Sequence, residues 1–172
     1  MNRSFAFLVV TFLLLCTAHA QGTPLANAIK TATTRNEPKE QDEVAIRKLL
    51  ANYTTSLSTG NRAAFESQLL DLNIPFSYVK GGAGAVRNPS LATFQDYAGF
   101  KKIIFDSGRR YQQRFSHIKI EQVGNLAQVS LDYQTALQGD QYEGVGWKVM
   151  QLIKINGQWK IASEFFTAYD EK

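Results

Sequence analysis

Residues 152–161 read Leu152-Ile153-Lys154-Ile155-Asn156-Gly157-Gln158-Trp159-Lys160-Ile161, two strand-forming runs on either side of an Asn-Gly pair. A type I′ turn needs positive φ at both central residues, and Asn-Gly meets that need with little strain, so this stretch is a hairpin. Its pairing sets Leu152 opposite Ile161 on one face, and Gln151 with Ala162, Val149 with Glu164 and Trp147 with Phe166 on the other. Upstream, Gly124-Asn125 suits a type II′ turn and Gly139-Asp140 marks a further reversal. From Arg109 onward the apolar period is two, so four long antiparallel strands close the chain.

Before the strands the period is helical. Ile46, Leu49, Leu50, Tyr53 and Leu57 form one stripe that ends at Gly60. Asn61 caps a second, shorter helix carrying Phe65 and Leu69, which the stretch 71–75 ends. Phe76 to Val79 is a short strand, followed by the loop Gly81-Gly82-Ala83-Gly84-Ala85. No Lys-Ser/Thr pair follows those glycines, so they form a mobile loop with the use of a lid, not a phosphate cradle. Ser90 caps a third helix with Phe94, Tyr97, Ile104 and Phe105 near one face and Gly108 at its end. Three helices preceding a curved antiparallel meander make an α+β fold.

The start of the chain has the parts of an export signal: Arg3, the apolar run from Phe5 to Cys16, and the small-residue site Ala18-His19-Ala20. Lipid attachment at Cys16 is the rival processing, and bulky Leu15 disfavours it. The expected organisation is a signal over 1–20, a polar linker over 21–40 with Pro24 and Pro38, and one domain over 41–172, periplasmic or secreted. Removing Arg3 leaves 18 basic against 15 acidic side chains and no dense basic cluster, so nucleic acid is not an expected partner. No later stretch is apolar and long enough for a membrane anchor, so no membrane association is expected after cleavage. The single cysteine lies in the signal and His117 is the only later histidine, so neither a disulfide nor a cofactor or multi-histidine metal site is expected.

Three phrases, in this order and spacing, resemble the nuclear transport factor 2-like superfamily, especially its SnoaL-like and steroid delta-isomerase-like branches. They are residues 52–61, where a helix runs into Gly60-Asn61; residues 124–129, Gly-Asn-Leu-Ala-Gln-Val; and the hairpin 152–161. The resemblance covers roughly residues 40 to 170 and implies a cone, its sheet wrapped around the first helix with a cavity open at one end. Such a cavity suits a small apolar or aromatic molecule. The resemblance also implies a homodimer through the back of the sheet, around Phe115 and Val145.

A two-residue turn at Gly124-Asn125 pairs Ile120 with Val129, Ile118 with Leu131, Ser116 with Tyr133 and Arg114 with Thr135 on the more apolar face. Arg114 and Tyr133 then look into the cone, and His117 with Asp132 lies on the back as a cross-strand pair. Whether Trp147, Gln151 and Glu164 look inward depends on whether the Gly139-Asp140 reversal is bulged. With Tyr53 and Tyr78 these make the expected ligand-binding set Tyr53, Tyr78, Arg114, Tyr133, Trp147, Gln151 and Glu164.

Tyr53 falls where the resemblance places the oxyanion-binding tyrosine of steroid delta-isomerases. The first strand, Phe76-Ser77-Tyr78-Val79, lacks that enzyme's carboxylate base, and Gln151 stands at the second-acid position, so isomerisation by that route is not expected. A dehydratase of the scytalone type needs an inward histidine, and an epoxide hydrolase of the limonene type needs two aspartates beside Arg114; neither set is complete. The expected function is non-catalytic binding of a mostly apolar molecule. The alternatives are a lyase, isomerase or hydrolase using Glu164 or His117 with Tyr53 and Tyr78, and a protein-interaction module.

Overall fold

The structure, a computed structural model, describes residues 36–78, 96–139 and 141–168. The expected signal, most of the linker, Val79, the glycine loop, Ser90, Phe94 and Asp140 lie outside the described residues. Among the described residues no helix is long and apolar enough to cross a membrane.

Helix α1 (Glu40–Thr59) buries the expected stripe of Ile46, Leu49, Leu50, Tyr53 and Leu57. Glu40, Asp42 and Glu43 in its first turn complement the helix dipole. It stops at Gly60, whose φ of 65° only glycine adopts freely, and the Asn61 N–H returns to the Ser56 carbonyl at 2.8 Å. Helix α2 (Arg62–Glu66) is capped by Asn61, whose side chain accepts from the Ala64 N–H at 3.0 Å. Helix α3 (Tyr97–Ile104) is capped by Asp96 in place of the expected Ser90; the Asp96 carboxylate accepts from the Gly99 N–H at 2.8 Å.

The strands are β1 (Phe76–Tyr78), β2 (Tyr111–Val123), β3 (Leu126–Leu137), β4 (Gln141–Ile155) and β5 (Gln158–Ala168), in the sheet order β1-β5-β4-β3-β2. The sheet is therefore mixed: β2 to β5 form the expected antiparallel meander, while β1 runs parallel to β5. Gly124 alone has positive φ in the β2–β3 turn, and both Asn156 (49°) and Gly157 (78°) have it in the β4–β5 turn, as a II′ and an I′ turn require.

Bulges shift the register in three places. In β2, His117 and Ile118 occupy the span of one β3 residue, with His117 at φ 49°. In β5, Ala162 is the extra residue, because Leu152 pairs with Ile161 but Gln151 pairs with Ser163. Near the β3–β4 reversal, Thr135 pairs with Gly144 and Ala136 with Tyr142. Each bulge adds bend and twist and exchanges the faces beyond it.

The core lies between α1 and the inner face of the sheet, where Ile46, Leu50, Val129, Leu131, Met150, Leu152 and Ile161 are all buried. A second, aromatic layer packs Phe65, Phe76, Tyr97 and Phe100 together, with Phe76 and Phe100 centroids 4.6 Å apart.

Candidate functional site

The bulges decide which polar side chains enter the cone. Beyond the β2 bulge, Gln113 and Phe115 take the inner positions, and Arg114 pairs with Gln134 on the exposed face instead of facing inward across from Thr135. Phe115, expected on the back, packs against the core with its ring 5.5 Å from Tyr53. Beyond the β5 bulge, Glu164 pairs with Met150 and Phe166 with Lys148, so Glu164 and Lys148 turn inward. Trp147 and Gln151 are left outside: Trp147 is 45 % exposed, and Gln151 accepts from the Ser163 hydroxyl at 3.0 Å. Arg114 therefore does not line the cone, because a count without the β2 bulge puts it one residue out of phase; Trp147 and Gln151 do not line it because β4 pairs Trp147 with Asp132 and Gln151 with Gln128, the phase that an even reversal at Gly139-Asp140 gives.

Tyr53, Tyr133 and Glu164 do come together, around Lys148. The Lys148 ammonium lies 2.6 Å from Glu164 Oε1, and the two side chains are 1 % and 0 % exposed. Lys148 Nζ also donates to the Tyr53 hydroxyl at 3.0 Å and to Gln113 Oε1 at 3.2 Å. The Tyr53 hydroxyl donates in turn to Glu164 Oε1 at 3.1 Å. Around this network stand the rings of Tyr53, Phe115, Tyr133 and Phe166, their centroids 4.7 to 5.3 Å from Nζ, a cation–π cage. Tyr78, half-buried, sits at the rim with its ring edge-on to Phe166 at 5.6 Å. Gly146 makes the cage possible: a Cβ there would lie 1.9 Å from the Thr167 carbonyl oxygen and 2.6 Å from the Tyr133 ring.

An ammonium has three protons to donate, and Lys148 has three acceptors in reach, so its hydrogen bonding is complete. The carboxylate is not matched in this way. Glu164 Oε1 receives both donors, and buried Oε2 receives none among the described residues. Burial pushes the Glu164 carboxyl up, opposed by the Lys148 charge and the hydrogen bonds from Lys148 and Tyr53. Burial likewise pushes the Lys148 ammonium down, opposed by Glu164. Burial and the Glu164 charge raise the Tyr53 phenol well above its ordinary value, so it stays a proton donor.

A second polar cluster ties the first turn of α1 to the sheet. Asp42 on α1 accepts from Lys154 Nζ at 2.6 Å and Trp159 Nε1 at 3.1 Å on one oxygen, and from Gln122 Nε2 at 2.7 Å on the other. Hydrogen bonds from Lys154 and Gln122 bring its pKa down to about 2 against the opposing effect of burial. His117 and Asp132 meet on the back of the sheet, Nδ1 to Oδ2 at 2.8 Å, with the imidazole 83 % exposed. Among the described residues no three histidine, cysteine or carboxylate side chains converge on a point that could hold a metal.

Lys148 went unseen in the sequence because a lysine in a strand is by default a surface residue. The signal that identifies it is its phase, the alternate positions Gly146, Lys148, Met150 and Leu152 being one continuous inner row of β4.

No family model and no curated protein sequence matches the chain. Solved structures do. A protein of unknown function with a cystatin-like fold from Nostoc punctiforme superposes with a TM-score of 0.60 at 13% identity, covering 77% of this chain and 95% of its own. A protein provisionally named a scytalone dehydratase, from Novosphingobium aromaticivorans, gives 0.56 at 16% identity over 74% and 84% of the two chains. A nuclear transport factor 2-like protein of unknown function from Shewanella baltica gives 0.54 at 16% identity over 79% and 100%. The chain has the nuclear transport factor 2-like, cystatin-like fold, and at these identities the likeness is one of fold alone.

Proposed function

We propose that this is an exported domain that binds one small, mostly apolar molecule in the aromatic end of the cone, without transforming it. The observation that carries this reading is Glu164 Oε2, a buried carboxylate oxygen with no donor among the described residues, in an ion pair with Lys148, whose ammonium stands among four aromatic rings. A buried acceptor left unsatisfied costs about 1–3 kcal/mol, a cost that a bound partner would remove. Half-buried Tyr78 and Phe115, whose rings meet those of Phe166 and Tyr53, supply apolar contact area beside the pair. The export signal read in residues 1–20 supports a location outside the cytoplasm.

A second, catalytic reading has one observation in its favour, a carboxyl raised by burial in contact with a tyrosine hydroxyl, the pairing used by acid–base catalysts. A dehydratase of the scytalone type is disfavoured, since His117, the one histidine among the described residues, stands outside the cone.

The test is small-molecule extraction and mass spectrometry of the purified chain, together with thermal shifts against a panel of aromatic compounds. One compound bound one-to-one, and lost on Phe166→Ala, is the expected result. An empty chain that no aromatic compound stabilises would overturn it. If a ligand is found to be converted, Glu164→Gln separates the two readings: the variant abolishes turnover with affinity nearly intact if Glu164 is a catalyst, and changes affinity alone if it is not.

A further inference from the structure

The hydrogen-bond inventory of the Lys148 cluster goes beyond the existence of a ligand to its chemistry. Each polar atom at the floor of the cone has a defined capacity. Lys148 spends its three protons on Glu164, Tyr53 and Gln113. The Tyr53 hydroxyl gives its one proton to Glu164 Oε1 and accepts from Lys148. The two donors in the cluster that touch the carboxylate both use Oε1, and Oε2 has no donor among the described residues. What Lys148, Tyr53 and Glu164 offer a newcomer is thus one strong acceptor and no spare proton.

Charge narrows the choice further. The Lys148 and Glu164 charges compensate each other at 2.6 Å, so the floor as a whole is neutral. An added carboxylate would meet the like charge of Glu164, with the protons of Lys148 and Tyr53 already engaged. An added ammonium would meet the Lys148 ammonium across the same carboxylate, in a cage whose four ring faces are already engaged by Nζ. A neutral donor meets neither repulsion.

Resting on the binding role proposed above, we infer that the molecule held in the cone is an uncharged phenol or alcohol whose hydroxyl donates to Glu164 Oε2, with its apolar body against Phe115, Tyr133 and Phe166. A hydrogen bond to a charged acceptor out of water is stronger than one between neutral groups, so the hydroxyl matters for affinity as well as for orientation.

The test uses three probes of one skeleton, naphthalene, 2-naphthol and 2-naphthoate, measured by calorimetry on the full chain at neutral pH. The expected order is 2-naphthol about tenfold tighter than naphthalene, with 2-naphthoate the weakest. In Glu164→Gln an amide NH₂ takes the place of Oε2, so the preference for 2-naphthol over naphthalene disappears and 2-naphthoate gains. Equal affinity for naphthalene and 2-naphthol in the parent chain overturns the inference and leaves the binding role standing. So does tightest binding of 2-naphthoate, which would point to Arg109 and Arg110, lining an open hollow of about 590 Å³ with Leu137, as the groups that read the ligand. Saturable binding of none of the three overturns the binding role and the inference with it. The parent chain alone decides between these results, whether or not Glu164→Gln folds.

Discussion

The two ends of the cone are built from the same parts. At one end a side chain of α1, Asp42, meets Gln122 of β2, Lys154 of β4 and Trp159 of β5. At the other a side chain of α1, Tyr53, meets Lys148 of β4, which also touches Gln113 of β2 and Glu164 of β5. The difference lies in how completely each network is satisfied. Every carboxylate oxygen of Asp42 has a donor, and Lys154 keeps 28 % of its side chain in water. Glu164 has an oxygen without one among the described residues, and the Lys148 side chain is fully buried. The two carboxyls accordingly shift in opposite directions, Asp42 down through its hydrogen bonds and Glu164 up through burial. A saturated network ties a helix to a sheet; an unsaturated one buried among aromatic rings has a valence left for a ligand.

The largest effect should come from breaking the buried pair. Lys148→Met leaves the Glu164 carboxylate buried beside Tyr53 without its counter-charge, and a loss of about 3–5 kcal/mol of folding stability is expected in urea denaturation. Adding Glu164→Gln to Lys148→Met removes the orphaned charge and keeps an acceptor for Tyr53, so the double variant should recover most of the loss. Lys154→Met, at the half-exposed end, should cost much less than Lys148→Met. Equal costs for the two lysines would erase the contrast drawn between the ends.

A medium effect sharpens the contrast through pH. The Asp42 carboxyl titrates at about 2 when folded and at 3.8 ordinarily, so its contribution is fully present above the ordinary value and is lost as pH falls through about 2. Asp42→Asn should remove about 2 kcal/mol at neutral pH and flatten the stability profile between those two values, measured as urea midpoints along a pH series. Binding of 2-naphthol should not change, since Asp42 lies in the first turn of α1, away from Tyr53. A parallel loss of affinity would mean that the saturated end also touches the ligand. Glu164 works with the opposite sign: its raised carboxyl favours the folded state at low pH, and that advantage is lost as pH rises above the ordinary glutamate value.

Much of this was legible in the chain. The 46–57 stripe, the Gly60 stop, the Asn61 cap and the Asn156-Gly157 turn each follow from local chemistry, and each is where that chemistry put it. The site was legible only in part, because inward and outward positions depend on register, and register depends on bulges. A hairpin without a bulge puts Glu164 on the face of Trp147 and Gln151; one extra residue, Ala162, moves it to the row of Lys148 and Met150. In the same way His117 and Ile118 carry Arg114 out of the cone and bring Gln113 and Phe115 in. Nothing about Ala162 marks a bulge. At His117 there was a weak sign, since histidine tolerates the left-handed region better than most side chains.

The smallest effect tests that assignment of faces. The imidazole of His117 is 83 % exposed and its partner Asp132 36 %, so water and salt screen the 2.8 Å contact, and surface pairs of this kind contribute about 0.2–1 kcal/mol. His117→Ala should therefore cost no more than that in stability, and should leave the affinity for 2-naphthol within about twofold of the parent. His117→Gly loses the same contact but relieves a φ of 49°, a conformation open to glycine without steric penalty. It should thus be at least as stable as His117→Ala, which a urea midpoint resolves. A drop in 2-naphthol affinity on His117→Ala beyond what its stability explains would place the imidazole inside the cone. That would make the β2 bulge wrong, return Arg114 to the inner row, and give the floor a spare cationic donor, so that Glu164 Oε2 would no longer be the group that selects the ligand.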